Sequence, residues 1–244
     1  MSLPIALQLY TLREETEKDF IGTLEKVAEM GYVGVEFAGF GDISADVMRS
    51  ELERLGLKAA GSHTAKDSLI YDLNDVIEYN QKIGNKFVVC PYDRYGSMDD
   101  LAAAAELYNN VGSKLKKNGI QFCYHNHSHE FERFGGKYAL DILYSLTDPD
   151  LLKAEIDTYW VSYANVDPVG YLKKFPGRCP LVHLKDMGTD RGMTEIGEGM
   201  IDIKGLIKVS GEVGASWLIV EQDLCKRSPL ESVKISIDNL KKTV

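Results

Sequence analysis

A chain of 244 residues, 44% hydrophobic and 27% charged, has enough apolar side chain to fill one sizeable core and carries no compositional mark of disorder. Its 37 acidic against 28 basic residues give a net charge of −9, which repels a phosphate backbone and argues against nucleic acid as a partner. No stretch approaches the roughly 20 apolar residues of a membrane span. The scattered Cys90, Cys123, Cys179 and Cys225, with no C-x-x-C pair among them, read as reduced thiols of a cytoplasmic protein.

The N-terminal stretch MSLPIALQLYTL has no basic region ahead of a long apolar run, so residues 5–10 read as a first strand and not as a signal peptide. An amphipathic helix over 18–30 follows and stops at Gly31, before a strand over 32–37. The same unit recurs: helix 45–55, Gly56 and strand 58–63, then helix 73–83, Gly84 and strand 86–92. Helix 98–117 ends at Asn118-Gly119 before strand 120–125, and helix 139–146 leads to strand 152–157. Helix 168–175 precedes strand 180–185, helix 203–213 ends at Gly214 before strand 217–221, and helix 230–241 closes the series. Glycine or asparagine after a helix is where a left-handed C-cap is easiest. Strands alternating with helices predict a parallel sheet, and eight such units over this length predict a single-domain (β/α)8 barrel spanning residues 1–244. No G-x-G-x-x-G follows a strand, and Gly197-Glu198-Gly199 reads as a flexible loop.

A buried parallel strand should be almost continuously apolar, yet nearly every strand here ends on polar side chains. Gln8, Glu36, His63, Tyr92, His125, Asp157, His183 with Lys185, and Glu221 all fall at C-terminal strand ends, the face on which barrel enzymes build their sites. Alternation of side chains along a strand puts His183 and Lys185 on one face and Glu221 with Ile219, while Ile156, Val182 and Val220 turn to the helices. Asp157, His183 and Glu221 then converge on the barrel mouth, and His125 holds the equivalent place on the fifth strand. Two imidazoles and two carboxylates suit one borderline divalent ion: manganese first, then zinc, with cobalt, iron or magnesium as further choices. In His125-Asn126-His127-Ser128-His129, His129 is expected to be a solvated loop residue. Tyr10, Tyr92 and Trp160 near the mouth are placed to pack against a sugar ring.

The chain resembles the sugar phosphate isomerase/epimerase family of xylose-isomerase-like barrels nearly end to end. The resemblance is carried by residues 7–13, Gly31-Tyr32 through Val35-Glu36-Phe37, Tyr124-His125-Asn126-His127 with Glu130-Phe131, and Leu152 through Asp157-Thr158-Tyr159-Trp160. Further carriers are Val182-His183-Leu184-Lys185-Asp186, residues 195–199 and residues 220–223. It implies a metal held by His125, Asp157, His183 and Glu221. The family's ketose 3-epimerases carry a glutamate where His125 stands, and that glutamate is one of their two catalytic bases. Trp160 likewise stands where they have a polar substrate-binding residue.

The expected reaction is isomerisation or epimerisation of a small carbohydrate by proton abstraction next to a carbonyl through a metal-stabilised enediolate. Glu221 is the candidate base, with His63, Lys185 or Glu36 to return a proton or steady the oxyanion, and Glu36, Trp160, Tyr92 and His127 as substrate contacts. Expulsion of a β-leaving group, making the protein a lyase or dehydratase of an oxidised sugar or inosose, is the nearest rival. An endonuclease on abasic DNA, a non-catalytic sugar-binding barrel and a glycosidase using Glu155 and Asp157 rank below it. Assembly into a homo-oligomer is left open.

Overall fold

In a computed structural model, which describes residues 3–243, eight parallel strands close into a barrel. They are β1 (Ile5–Gln8), β2 (Gly34–Phe37), β3 (Lys58–His63), β4 (Phe87–Cys90), β5 (Gln121–His125), β6 (Leu152–Asp157), β7 (Leu181–Leu184) and β8 (Trp217–Val220). Each pairs with its neighbours in sequence, and β8 pairs with β1 through Ala6↔Ile219 and Leu7↔Val220. No helix among the described residues is long and apolar enough to cross a membrane.

The outer ring comprises α1 (Phe20–Met30), α2 (Ala45–Leu55), α3 (Leu73–Lys82), α4 (Met98–Lys117), α5 (Ala139–Leu146), α6 (Pro168–Leu172), α7 (Ile203–Val213) and α8 (Pro229–Lys241). Caps define their ends. Ser44 accepts from Val47 N at the start of α2, and Gly56 closes it in the left-handed region at φ 67°. The expected helix 18–30 begins two residues later, at Phe20: Asp19, extended at φ −156°, caps α1 by accepting from Gly22 N and ends an additional short helix over Arg13–Lys18.

Strand parity divides the core. Ile156, Val182, Leu184, Leu218 and Val220 pack outward into the layer between sheet and helices. Ala6, Ala60, Val89, Cys123, Leu181, Trp217 and Ile219 fill the barrel interior. Trp217 reaches so far across the floor that a Cβ on Gly34 would lie 2.8 Å from its ring. Above this apolar plug, on the same inward face, stand Gln8, Glu36, His125, Glu155, Asp157 and His183, all buried. The strands' apolar beginnings thus seal the barrel, and their polar ends line its upper half.

Candidate metal centre

His125, Asp157, His183 and Glu221 each offer a ligand atom, and these atoms lie within 4.8 Å of one another. Register explains the convergence: Asp157 pairs with His183 across β6 and β7, Ile219 pairs with His183 across β7 and β8, and Glu221 follows two residues on. Asp157 divides its oxygens. Oδ1 accepts from Trp160 N at 2.9 Å and caps a short helix over Thr158–Tyr163, while the buried Oδ2 has no aligned hydrogen-bond donor. Asn126 fixes the backbone there, its Oδ1 accepting from Asp157 N.

His183 is held at both ring nitrogens and His125 at one. His183 has Nδ1 3.0 Å from Glu221 Oε2 and Nε2 2.7 Å from Glu36 Oε2. His125 has Nδ1 3.0 Å from Glu155 Oε2 and Nε2 3.7 Å from Asp157 Oδ2. The Lys185 ammonium sits 2.6 Å from Glu221 Oε2, 2.9 Å from Asp157 Oδ2 and 3.0 Å from Asp223 Oδ1. Charge decides how these groups titrate. Burial works against the Lys185 cation, but Asp157, Glu221 and Asp223 outweigh it and raise its pKa far above the usual value. Burial likewise opposes a charged His63, yet Glu36 and Glu155 lift it to about 10. Asp223 is pushed up to about 6 by burial and by Glu221.

The donor set fits a divalent cation. Glu36, Glu155, Asp157 and Glu221 are all buried and Asp223 is close by, leaving more carboxylate charge than Lys185 and His63 together balance; Asp157 Oδ2 also faces the cluster without an aligned donor. Mixed nitrogen and oxygen donors suit a borderline ion.

Over this centre opens a cavity of about 430 Å³, lined among others by Tyr10, His63, Tyr92, His127, Lys185 and Glu221. His127 packs edge-on to Tyr92 at 5.3 Å and against Trp160 at 5.5 Å; burial, then Lys185, lowers its pKa to about 3, so it is a neutral ring. Its Nδ1 and the Trp160 Nε1 are buried polar atoms without partners. Trp160 stands behind this wall and does not line the cavity. Glu36 does not reach the cavity either: it is wholly buried, accepting from Gln8 Nε2 at 2.8 Å. His129 is no free loop residue, since its Nε2 donates to the Asp93 carbonyl at 2.7 Å.

Glu155 was not singled out for the metal centre from the sequence, although it stands two residues before Asp157 on one strand and so shares its face. The parity that picked Asp157 would have found it. His63 obeys no simple parity. At β2/β3 Val35 pairs with Ala59 but Glu36 with Gly61, so β3 carries one extra residue, and both Ala60 and His63 reach the interior. Gly61 also leaves room for Glu36, whose Oε1 would be 2.4 Å from a Cβ there.

A family model described as xylose isomerase-like TIM barrel matches residues 24–243. The chain is 27% identical over 154 residues to an inosose dehydratase of Lacticaseibacillus casei, covering 54% of this chain and 51% of that protein, so it spans about half the length of that relative. It is 25% identical over 276 residues to an inosose dehydratase of Geobacillus kaustophilus (strain HTA426), covering 91% of this chain and 86% of the other. A solved structure titled sugar phosphate isomerase/epimerase from Parabacteroides distasonis ATCC 8503 superposes with a TM-score of 0.87 at 28% identity, covering 99% of this chain and 94% of that one.

Proposed function

Because the chain belongs to the xylose isomerase-like TIM barrel family, we propose that it is a divalent-metal-dependent isomerase or epimerase of a small sugar, ketose or sugar-like polyol. The observation that carries the reading is the convergence of His125, Asp157, His183 and Glu221 directly beneath the cavity, with Glu221 and Lys185 in its wall. These four residues would hold the ion, manganese first and zinc next. Once bound, it would supply Lewis-acid stabilisation of negative charge on adjacent substrate oxygens.

The chain's own groups account for the proton movements. Glu221, held well below the usual carboxylate range by Lys185 and His183 despite its burial, is ionised and faces the cavity, and it serves as the base that takes a proton from the carbon next to a carbonyl. Lys185, 2.6 Å away and kept protonated, steadies the resulting enediolate or returns a proton to it. Tyr92 and His127 form a wall against which the apolar face of a sugar ring packs.

Elimination is the second reading, favoured by the name inosose dehydratase of the Geobacillus relative that aligns over most of both chains. Lys185 would then protonate a departing hydroxyl. The test is metal analysis of native protein followed by a screen of ketoses, inososes and 3-keto-glycosides in deuterium oxide. Isomerisation or epimerisation should place deuterium on the carbon next to the carbonyl, and elimination should give an unsaturated product. Failure of every substrate with manganese, zinc, cobalt, iron(II) and magnesium would sink both.

A further inference from the structure

We propose that Gln8, Glu36, His63 and Glu155 form an outer layer that fixes the tautomer and ring orientation of His125 and His183, the two imidazoles of the metal centre. This rests on the reading of His125, Asp157, His183 and Glu221 as ligands. Each imidazole has one nitrogen among the ligand carboxylates and the other on a carboxylate outside the set. For His183 these are Nδ1 toward Glu221 and Nε2 toward Glu36. For His125 they are Nε2 toward Asp157 and Nδ1 toward Glu155. A neutral imidazole that gives a lone pair to a metal from one nitrogen carries its hydrogen on the other, and a buried N–H needs an acceptor. Glu36 and Glu155, both wholly buried, are those acceptors.

The two acceptors are tied together. His63 Nε2 stands 2.8 Å from Glu155 Oε2 and 3.3 Å from Glu36 Oε2, and Gln8 Nε2 donates to the same Glu36 oxygen at 2.8 Å. All of these contacts fall on Oε2 of each glutamate, while each Oε1 has no donor. The His63 ring lies 8° from parallel with His183 at 5.5 Å, packed flat against the imidazole whose partner it holds. His63, which the sequence offers as a proton donor, is on this geometry a positioning residue.

His63, His125, Glu155 and His183 also bring ligand atoms within 4.8 Å of one another, so a second ion is the competing explanation. It would share His125 and His183 with the first ion through their opposite nitrogens, and an imidazole bridges two metals only after losing both ring protons. One ion per chain, with the outer nitrogens protonated, avoids that.

The experiment uses the full chain stripped of metal, titrated with cobalt(II) for stoichiometry and affinity, and loaded with zinc(II) for nitrogen-15 NMR of the histidine rings. The wild type should bind one ion. Its spectra should show a metal on His183 Nδ1 and His125 Nε2, with hydrogen on His183 Nε2 and His125 Nδ1. Glu155→Leu and Glu36→Leu should each weaken cobalt binding by about 10- to 100-fold at unchanged stoichiometry, with Glu155→Gln and Glu36→Gln recovering part of the loss because the amide oxygen still accepts. Two ions per chain, the opposite tautomers, or folded leucine variants that bind cobalt as tightly as wild type would each overturn the outer layer while leaving the metal centre standing. A wild type that binds no ion overturns both. Should the leucine variants fail to fold, the wild-type tautomers decide alone.

Discussion

Asp157 performs two tasks with two oxygens, and they are separable by substitution. Oδ1 caps the helix over Thr158–Tyr163 and Oδ2 belongs to the ligand cluster. Asp157→Ala should therefore abolish stoichiometric metal and also cost about 1 kcal/mol of stability for the lost cap. Asp157→Asn, which keeps an oxygen for Trp160 N, should weaken metal binding with little loss of stability. Metal content and denaturant midpoints of both variants check this, and an alanine variant that still carries about one ion per chain removes Asp157 from the ligand set. Glu221→Gln isolates base from ligand: with metal occupancy shown to be full, activity should fall by at least about a hundredfold, and retention of more than about a tenth of the rate would make Glu221 a ligand only. At this scale the sequence was informative wherever a polar residue broke an apolar strand end, as at His125, Asp157 and His183. It was silent on pairing. That Glu36 faces His183 across 147 positions of chain, and does not line the cavity, depends on the closed barrel and cannot be seen in either local stretch.

Among the elements, the two strands 58–63 and 152–157 have the predicted bounds. β2 and β5 only begin later than predicted, whereas β1, β4, β7 and β8 end early because their last residues leave the ladder to build the mouth. Lys185 and Glu221 lie just past β7 and β8, for this reason. The helix over Thr158–Tyr163 was invisible to propensity: TYWVSY is rich in β-branched and aromatic residues, and the Asp157 cap overrides them. Two hairpins were also missed, each strand being two residues long. One pairs Asp186–Met187 with Met193–Thr194 and leads into the loop that Asp186 organises, its carboxylate accepting from Gly197, Gly199 and Ile201 N. The stretch that reads as a flexible loop around Gly197-Glu198-Gly199 is therefore tethered. Asp186→Ala leaves those partly buried N–H groups unmatched and should cost at least about 2 kcal/mol. Gly199→Ala should also destabilise, because its Cβ would lie 2.2 Å from Asp186 Oδ1 and 2.6 Å from the Met187 carbonyl oxygen. Denaturant unfolding checks both, and a wild-type midpoint for Gly199→Ala would show that the loop gives way freely.

For the molecule as a whole, the count of eight strand and helix units was enough to predict closure, because a parallel strand leaves no edge exposed once the eighth meets the first. The electrostatic balance of the mouth was not legible, since it depends on which charges face each other. Among the described residues Lys185 is the one Lys or Arg lining the cavity, and it is already shared among Asp157, Glu221 and Asp223. With Lys185 and His63 cationic and a dication bound, the carboxylates Glu36, Glu155, Asp157, Glu221 and Asp223 still leave the centre net negative. A phosphate group about 8 Å away would be repelled by about 2 kcal/mol per charge at an effective dielectric constant near 20. A phosphorylated sugar should accordingly show kcat/KM at least about tenfold below its free counterpart. The rim holds countercharge that could reverse this: Arg13 lies 4.5 Å over the Tyr10 ring, and Arg94 donates to the Tyr92 hydroxyl. Both tyrosines line the cavity, so a phosphate lying far enough out would meet a guanidinium before it met the carboxylates. Competition between a ketose and its phosphate ester, repeated with Arg13→Gln and Arg94→Gln, separates the cases. Preference for the free sugar that survives both substitutions supports a cavity selecting uncharged substrates, whereas preference for the ester that either substitution abolishes would assign the phosphate to the rim and end the prediction.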